Sequence, residues 1–192
     1  MSKIILNKFI FIFLMLSLNA SLSAQIEQGA ISILPEFNLI INKNSFSDDT
    51  ESSFNLILSP GIFFAKNIAI NADLGFSTFR DSNGTAASQN TSILIGARLV
   101  FMIPVSERFY IPAFVGYGYN FNSFSSTSGF NFSPDNTENV FFGVGVEYLV
   151  ADRLGLRFSL LNRFSFVKND DLIQSEVSGF IGVNLYFAKQ SK

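Results

Sequence analysis

A two-residue alternation of apolar with small or polar side chains, repeated along the chain, constrains this sequence more than any other feature. Ile68, Ile70, Ala72, Leu74 and Phe76 alternate with Ala69, Asn71, Asp73, Gly75 and Ser77. That period places the two sets on opposite faces of a strand. The same rule separates Ile93, Ile95, Ala97, Leu99 and Phe101 from Ser92, Leu94, Gly96, Arg98 and Val100. It separates Val140, Phe142, Val144, Val146 and Tyr148 from Phe141, Gly143, Gly145, Glu147 and Leu149. Leu154, Leu156, Phe158 and Leu160 likewise part from Gly155, Arg157, Ser159 and Leu161. Four further strands are predicted at about 29–42, 54–64, 109–121 and 175–187, making eight. Most of these spans exceed the roughly 5–6 residues usual in globular sheets and match the roughly 9–11 tilted residues that cross a bilayer.

The connections alternate in length. Long polar loops at about 43–53, 81–90, 122–137 and 169–174 are separated by short turns at 65–67, 104–108 and 151–153. Such long–short alternation predicts an all-β, eight-stranded antiparallel up-and-down transmembrane β-barrel with one rim toward the periplasm. Both ends of an eight-stranded meander then fall at the short-turn rim. Directly opposed residues share a face, so pairing Phe64 with Ile68, Ile103 with Phe109 and Val150 with Leu154 is permitted. Pro35 and Pro60 lie inside predicted strands and cannot donate to a ladder, so bulges are expected there.

Which face meets water decides between a soluble barrel and a membrane barrel. The apolar face is bulky and nearly unbroken. The opposite face carries Ser, Asn and charges, with nine of the 13 glycines, among them Gly96, Gly116, Gly118, Gly143 and Gly145. Glycine fits the inside of a narrow tube that side chains nearly fill, whereas on a wetted exterior it weakens strands without a packing return. The apolar face is therefore assigned to lipid.

Residues 1–24 read as a secretory signal: Lys3 and Lys8 precede the apolar run Phe9–Leu18, and Ser23-Ala24 precede Gln25. A run of ten residues is too short for a helical span, which needs about 20. Losing two lysines leaves 11 basic against 15 acidic residues, a mature charge of −4. The chain has no Cys and no His, which removes disulfides, a lipoprotein anchor, a Ser-His-Asp triad and conventional zinc ligation. No cofactor or metal is expected. The basic residues are scattered, so no nucleic-acid partner is expected.

On this pattern the chain resembles the small outer-membrane β-barrel proteins of Gram-negative bacteria, the OmpA/OmpX-like or porin family. The Ser-Ala-Gln junction is similar to those of Bacteroidota. The resemblance covers residues 25–187. Its last strand, Val177 to Phe187, resembles the family's C-terminal assembly signal, with a short tail at 188–192 departing from the commonest form. It implies the outer membrane as location, and outer-membrane lipid, lipopolysaccharide and the assembly machinery as partners. It also implies a structural or surface-interaction role, with a narrow channel or small-ligand conduit as the alternative. Enzymes of resembling families depend on an active-site histidine, which is lacking here.

Six charged residues are predicted to face the lumen: Glu36, Asp73, Arg98, Glu147, Arg157 and Arg163. Three acids and three bases make the set formally neutral. The 151–153 turn sets Glu147 opposite Arg157, and Asp73 and Arg98 lie on neighbouring strands within reach. Two readings stay open: a polar path gated by exchanging ion pairs, or a packed polar core in which every charge is neutralised. Asp48, Asp49, Glu51, Asp81, Asp135, Glu138, Asp170 and Asp171 are assigned to the long loops. The stretch 122–133, the longest loop, is the candidate contact surface for an unidentified partner. Phe64, Phe76, Phe101, Phe109, Tyr148, Phe164, Phe166 and Phe187 are assigned to aromatic girdles.

Overall fold

Each alternating segment forms one strand of a single antiparallel sheet that closes on itself. The computed structural model describes residues 26–43, 49–83, 87–126, 136–167 and 170–187. The strands are β1 (Ile31–Lys43), β2 (Asp49–Ala65), β3 (Ile68–Asn83), β4 (Ala87–Pro104), β5 (Phe109–Ser126), β6 (Thr137–Ala151), β7 (Leu154–Val167) and β8 (Asp170–Phe187). Every strand pairs with its neighbours in sequence, and β8 pairs with β1 to close the barrel. β1 begins and β8 ends at the short-turn rim, as expected. The signal segment and the tail lie outside the described residues.

The stagger follows from the registers. Stepping straight across the strands leads from Ile31 to Ile62, Ile70, Leu99, Val115, Phe142, Asn162 and Val177. The β8–β1 register, with Phe37 opposite Ile181, returns the path to position 41, ten residues beyond Ile31. Ten residues of about 3.3 Å over eight spacings of about 4.8 Å give a strand tilt of about 40°. That lies within the 35–45° or so of closed barrels.

The outward face is the apolar one. Ile70, Leu74 and Phe76 are 50%, 52% and 43% exposed, while Asp73 and Arg98 are buried. On β3 the outward apolar run from Ile68 to Phe76 gives way to Thr78 and Arg80. At about 40° of tilt that run rises roughly 20 Å between its end Cα atoms, close to the apolar band of about 25 Å on transmembrane barrels. Phe64, Tyr148 and Phe187 ring the short-turn end of this band, and Phe76, Phe121 and Phe166 the other.

Four sequence expectations are corrected. First, the strands run well past their predicted ends, because the loops expected at 43–53, 81–90, 122–137 and 169–174 are largely ladder. Glu51 pairs with Asp81, Ser52 with Arg80 and Asn90 with Phe124. Hydrophobic alternation stops where lipid stops, since above the bilayer both faces are wet, but the hydrogen-bonded ladder continues. Glu51, Asp81 and Glu138 therefore stand on strands, as do the Asp49, Asp170 and Asp171 backbones, while Asp48 and Asp135 lie outside the described residues. Of the 122–133 stretch, Asn122–Ser126 belong to β5 and 127–133 are not described.

Second, Ile103 pairs with Ile111 rather than Phe109, with the Val105 N–H donating to the Phe109 carbonyl at 2.9 Å. A slip of two keeps every side chain on its face, so parity alone does not detect it. The other two short turns hold their expected registers within the strands: Ile62 faces Ile70 and Glu147 faces Arg157. Bulges at Phe63/Ala65 and Leu149/Ala151 then tighten each turn by one residue. Asn67 takes the left-handed conformation at φ 56° that closes the first.

Third, neither Pro35 nor Pro60 bulges. Each interrupts one ladder, between Ile33–Leu185 and Glu36–Gly182 for Pro35, and between Leu58–Leu74 and Gly61–Asn71 for Pro60. Register is the same on both sides of each gap. The fourth difference lies in the lumen charges, at Arg163.

Candidate functional site

Inward parity on eight strands brings charges together that are far apart in sequence. Arg98 on β4 is the centre of the first cluster. Its Nε donates to both carboxylate oxygens of Asp73 at 2.8 Å, and one terminal nitrogen donates to Glu36 Oε2 at 2.8 Å. The other terminal nitrogen donates to Ser59 Oγ at 2.8 Å, and that hydroxyl donates to Asp73 Oδ1 at 2.7 Å. Ser159 Oγ donates to Glu36 Oε1 at 2.5 Å. The guanidinium also lies 5.2 Å from the centre of the Phe114 ring, in cation–π range. This tie joins β1, β2, β3, β4, β5 and β7 across the middle of the tube, with Arg98 only 1% exposed.

A second cluster sits nearer the short-turn rim. Arg157 Nε donates to Glu147 Oε2 at 2.6 Å, the cross-strand pair expected from the 151–153 turn. Asn184 donates from Nδ2 to the Tyr186 hydroxyl at 2.8 Å, and Tyr186 donates in turn to Glu147. Phe63, Met102, Tyr110 and Tyr186, all buried, fill the tube around it.

Apolar side chains close the remaining space. Phe114 and Phe141, on adjacent strands, stand opposite Gly143 and Gly116 respectively. A Cβ on either glycine would run into the facing phenylalanine ring. Each ring thus lies on its neighbour's bare backbone, which explains why glycine is needed on the inner face. Above these rings lies a small pocket of about 10 Å³ near Ile57 and Leu94, room for about one water.

Arg163 departs from the neutral six-charge expectation. It sits above the packed section, 4.0 Å from Glu176, an inward-facing acid outside the predicted six. Counting Glu176 moves the formal lumen charge from zero to −1. Above Arg163 the tube opens into an outer vestibule of about 470 Å³, walled chiefly by Asn55, Ser77, Ser92, Asn120 and Ser165. These carboxamides and hydroxyls were legible only as inward parity positions, with no motif to mark them. Among the described residues no group of acids, His or Cys is arranged to hold a metal.

A closed antiparallel barrel with an apolar belt, aromatic rims and a polar packed lumen defines an integral membrane β-barrel. The model of the outer membrane protein beta-barrel domain family matches residues 10–185. The chain belongs to that family, and the protein is a bacterial outer-membrane protein. Among solved structures, the N-terminal β-barrel domain of Pseudomonas aeruginosa OprF is similar, with a TM-score of 0.50 and 14% identity, over 84% of this chain and 100% of that one. Neisserial surface protein A is similar with a TM-score of 0.50 and 13% identity, over 83% of this chain and 98% of that one. At such identities the likeness concerns the fold alone. No curated protein matches the sequence.

Proposed function

We propose that this protein is a non-conducting barrel that supports the outer membrane and presents its strand extensions as a contact surface. The observation that carries the reading is the filled lumen, where the Arg98 tie and the Phe114–Phe141 pair are buried across the middle of the tube. An ion would have to break several charge-assisted hydrogen bonds at once to pass, so the packed-core reading of the lumen charges is favoured over the gated path.

The contact surface is the polar ladder above the lipid belt, where Glu51, Arg80, Asp81 and Gln89 stand on paired strands. Paired backbone holds such side chains in fixed relative positions, which lowers the ordering entropy of binding compared with a free loop. The proposed partners are outer-membrane lipid and lipopolysaccharide, with the assembly machinery engaging Val177–Phe187 during insertion.

Planar-bilayer recording with the purified, folded protein tests the first half. The expected result is a baseline without discrete conductance steps. Reproducible unitary steps would sink the non-conducting reading. Deleting 122–133 tests the second half: binding to lipopolysaccharide or cells is expected to fall, and unchanged binding removes that segment from the contact surface.

A further inference from the structure

The seam that closes the barrel stops short. The β8–β1 ladder runs from Ile31–Phe187 to Phe37–Ile181, and among the described residues it goes no further. Yet β1 continues to Lys43, paired with β2, and β8 reaches back to Asp170, paired with β7. The facing edges, 38–43 on β1 and 175–180 on β8, therefore carry backbone groups with no ladder between them. By register and tilt these edges rise from the outer half of the apolar belt to beyond its outer end, with Asn38, Leu39 and 178–180 inside the belt. In hydrocarbon each unsatisfied backbone group costs several kcal/mol, so an open edge there requires a polar or amphiphilic occupant.

Side chains beside the seam agree with an opening. Leu39 and Val177 are 62% and 71% exposed, the two most exposed large apolar residues of the described chain. Ile40 points inward by parity yet is 42% exposed. It lines the outer vestibule together with Glu176, so the gap joins that vestibule to the lipid. At the vestibule's floor the Arg163 Nε is buried without a hydrogen-bond partner, and its acid neighbour, at 4.0 Å, is itself more than half exposed. A buried guanidinium nitrogen lacking an acceptor marks a place for an anionic oxygen.

From these observations we infer that the outer vestibule is a lateral binding site for a single-chain anionic amphiphile. The charged head sits among the Asn and Ser side chains and accepts from Arg163, while the acyl chain leaves between β1 and β8 past Leu39 and Val177. The head supplies acceptors to the floor, and water admitted with it satisfies the open strand edges. The site lies above the lumen plug, so it is independent of whether the barrel conducts.

The chain has no Trp and no Cys, which makes the test clean. An Ile40→Trp variant in phosphatidylcholine nanodiscs carries a single indole inside the vestibule. It is titrated with mid-chain dibrominated stearate and, separately, with the methyl ester of that acid. Saturable quenching by the acid is expected, at least about tenfold weaker for the ester and for the added Arg163→Gln substitution, the usual effect of losing a charge-assisted hydrogen bond. Oxidising a Leu39→Cys/Gly179→Cys pair in the same background is expected to abolish the saturable phase, and reduction to restore it. Quenching that rises linearly with probe, or that is equal for acid and ester, overturns the proposal. The ester comparison leaves Arg163 in place, so the outcome does not depend on the variant folding.

Discussion

Replacing Arg98 with leucine is expected to destabilise the folded barrel by about 3–5 kcal/mol, the range for removing one partner of a buried ionic network. The substitution leaves Glu36 and Asp73 facing each other in the packed lumen with side chains 3% and 0% exposed. Among the described residues, the Ser59 and Ser159 hydroxyls then remain as donors to them. Unfolding in urea, followed in lipid vesicles by the shift in heat-modifiable gel mobility, measures the loss. A triple variant, Arg98→Leu with Glu36→Gln and Asp73→Asn, is expected to recover most of it. The penalty arises from unpaired charge rather than lost packing, and amides of nearly the same shape keep the hydroxyl hydrogen bonds. A change below about 1 kcal/mol for Arg98→Leu alone would mean that the tie is not formed in the folded barrel.

The second large effect lies on the outer wall. Leu160 is 47% exposed near the middle of the belt, whereas Phe166 stands at the outer aromatic rim. Leu160→Arg is expected to cost about 2–4 kcal/mol, and Phe166→Lys about 0–1 kcal/mol, because a charge on the lipid face is penalised by depth. The same unfolding assay reads both. A soluble barrel would reverse the logic, since an arginine on a wetted surface is nearly neutral. Equal, small effects at both positions would contradict the lipid assignment.

How much was legible depends on whether the information is local. Face assignment needs only parity within a strand, and the lipid face, the lumen charges and most of the girdle aromatics could be read from it. The Glu147–Arg157 pair was legible because one short turn fixes that register. Asp73 and Arg98 were legible as neighbours, although Arg98 stands opposite Asn71 and reaches Asp73 diagonally. Glu36 joining them was not, because β1 and β4 meet only across a closed tube whose width and stagger no single strand encodes. Parity makes Arg163 one of six balanced charges, but its position above the plug depends on that same stagger.

Strand length failed for a different reason. The sequence signal is a contrast between two environments, and it vanishes above the bilayer, where both faces of β3 and β4 meet water. Residues such as Thr78 and Thr91 pair there without any alternation to announce it. A proline's missing donor does not require an inserted residue. At Pro35 and Pro60 the neighbouring rungs hold register, so the ladder skips rungs without shifting. The shortened β1–β8 seam was not legible, because the register between the first and last strands depends on closure, and apolar Ile40 and Phe180 at inward positions do not by themselves mark missing rungs.

The assignment of the greasy wall to acyl chains underlies the belt, the lumen and the seam alike. Its most direct measurement is a nitroxide scan along β3, at single-cysteine substitutions of positions 70–76 in vesicles, comparing collision with oxygen and with a water-soluble nickel chelate. The chain contributes no competing thiol. Labels at 70, 72, 74 and 76 are expected to show high oxygen and low nickel accessibility, and labels at 71, 73 and 75 to be poorly accessible to both. High nickel accessibility at the even positions would put that wall in water and contradict the account.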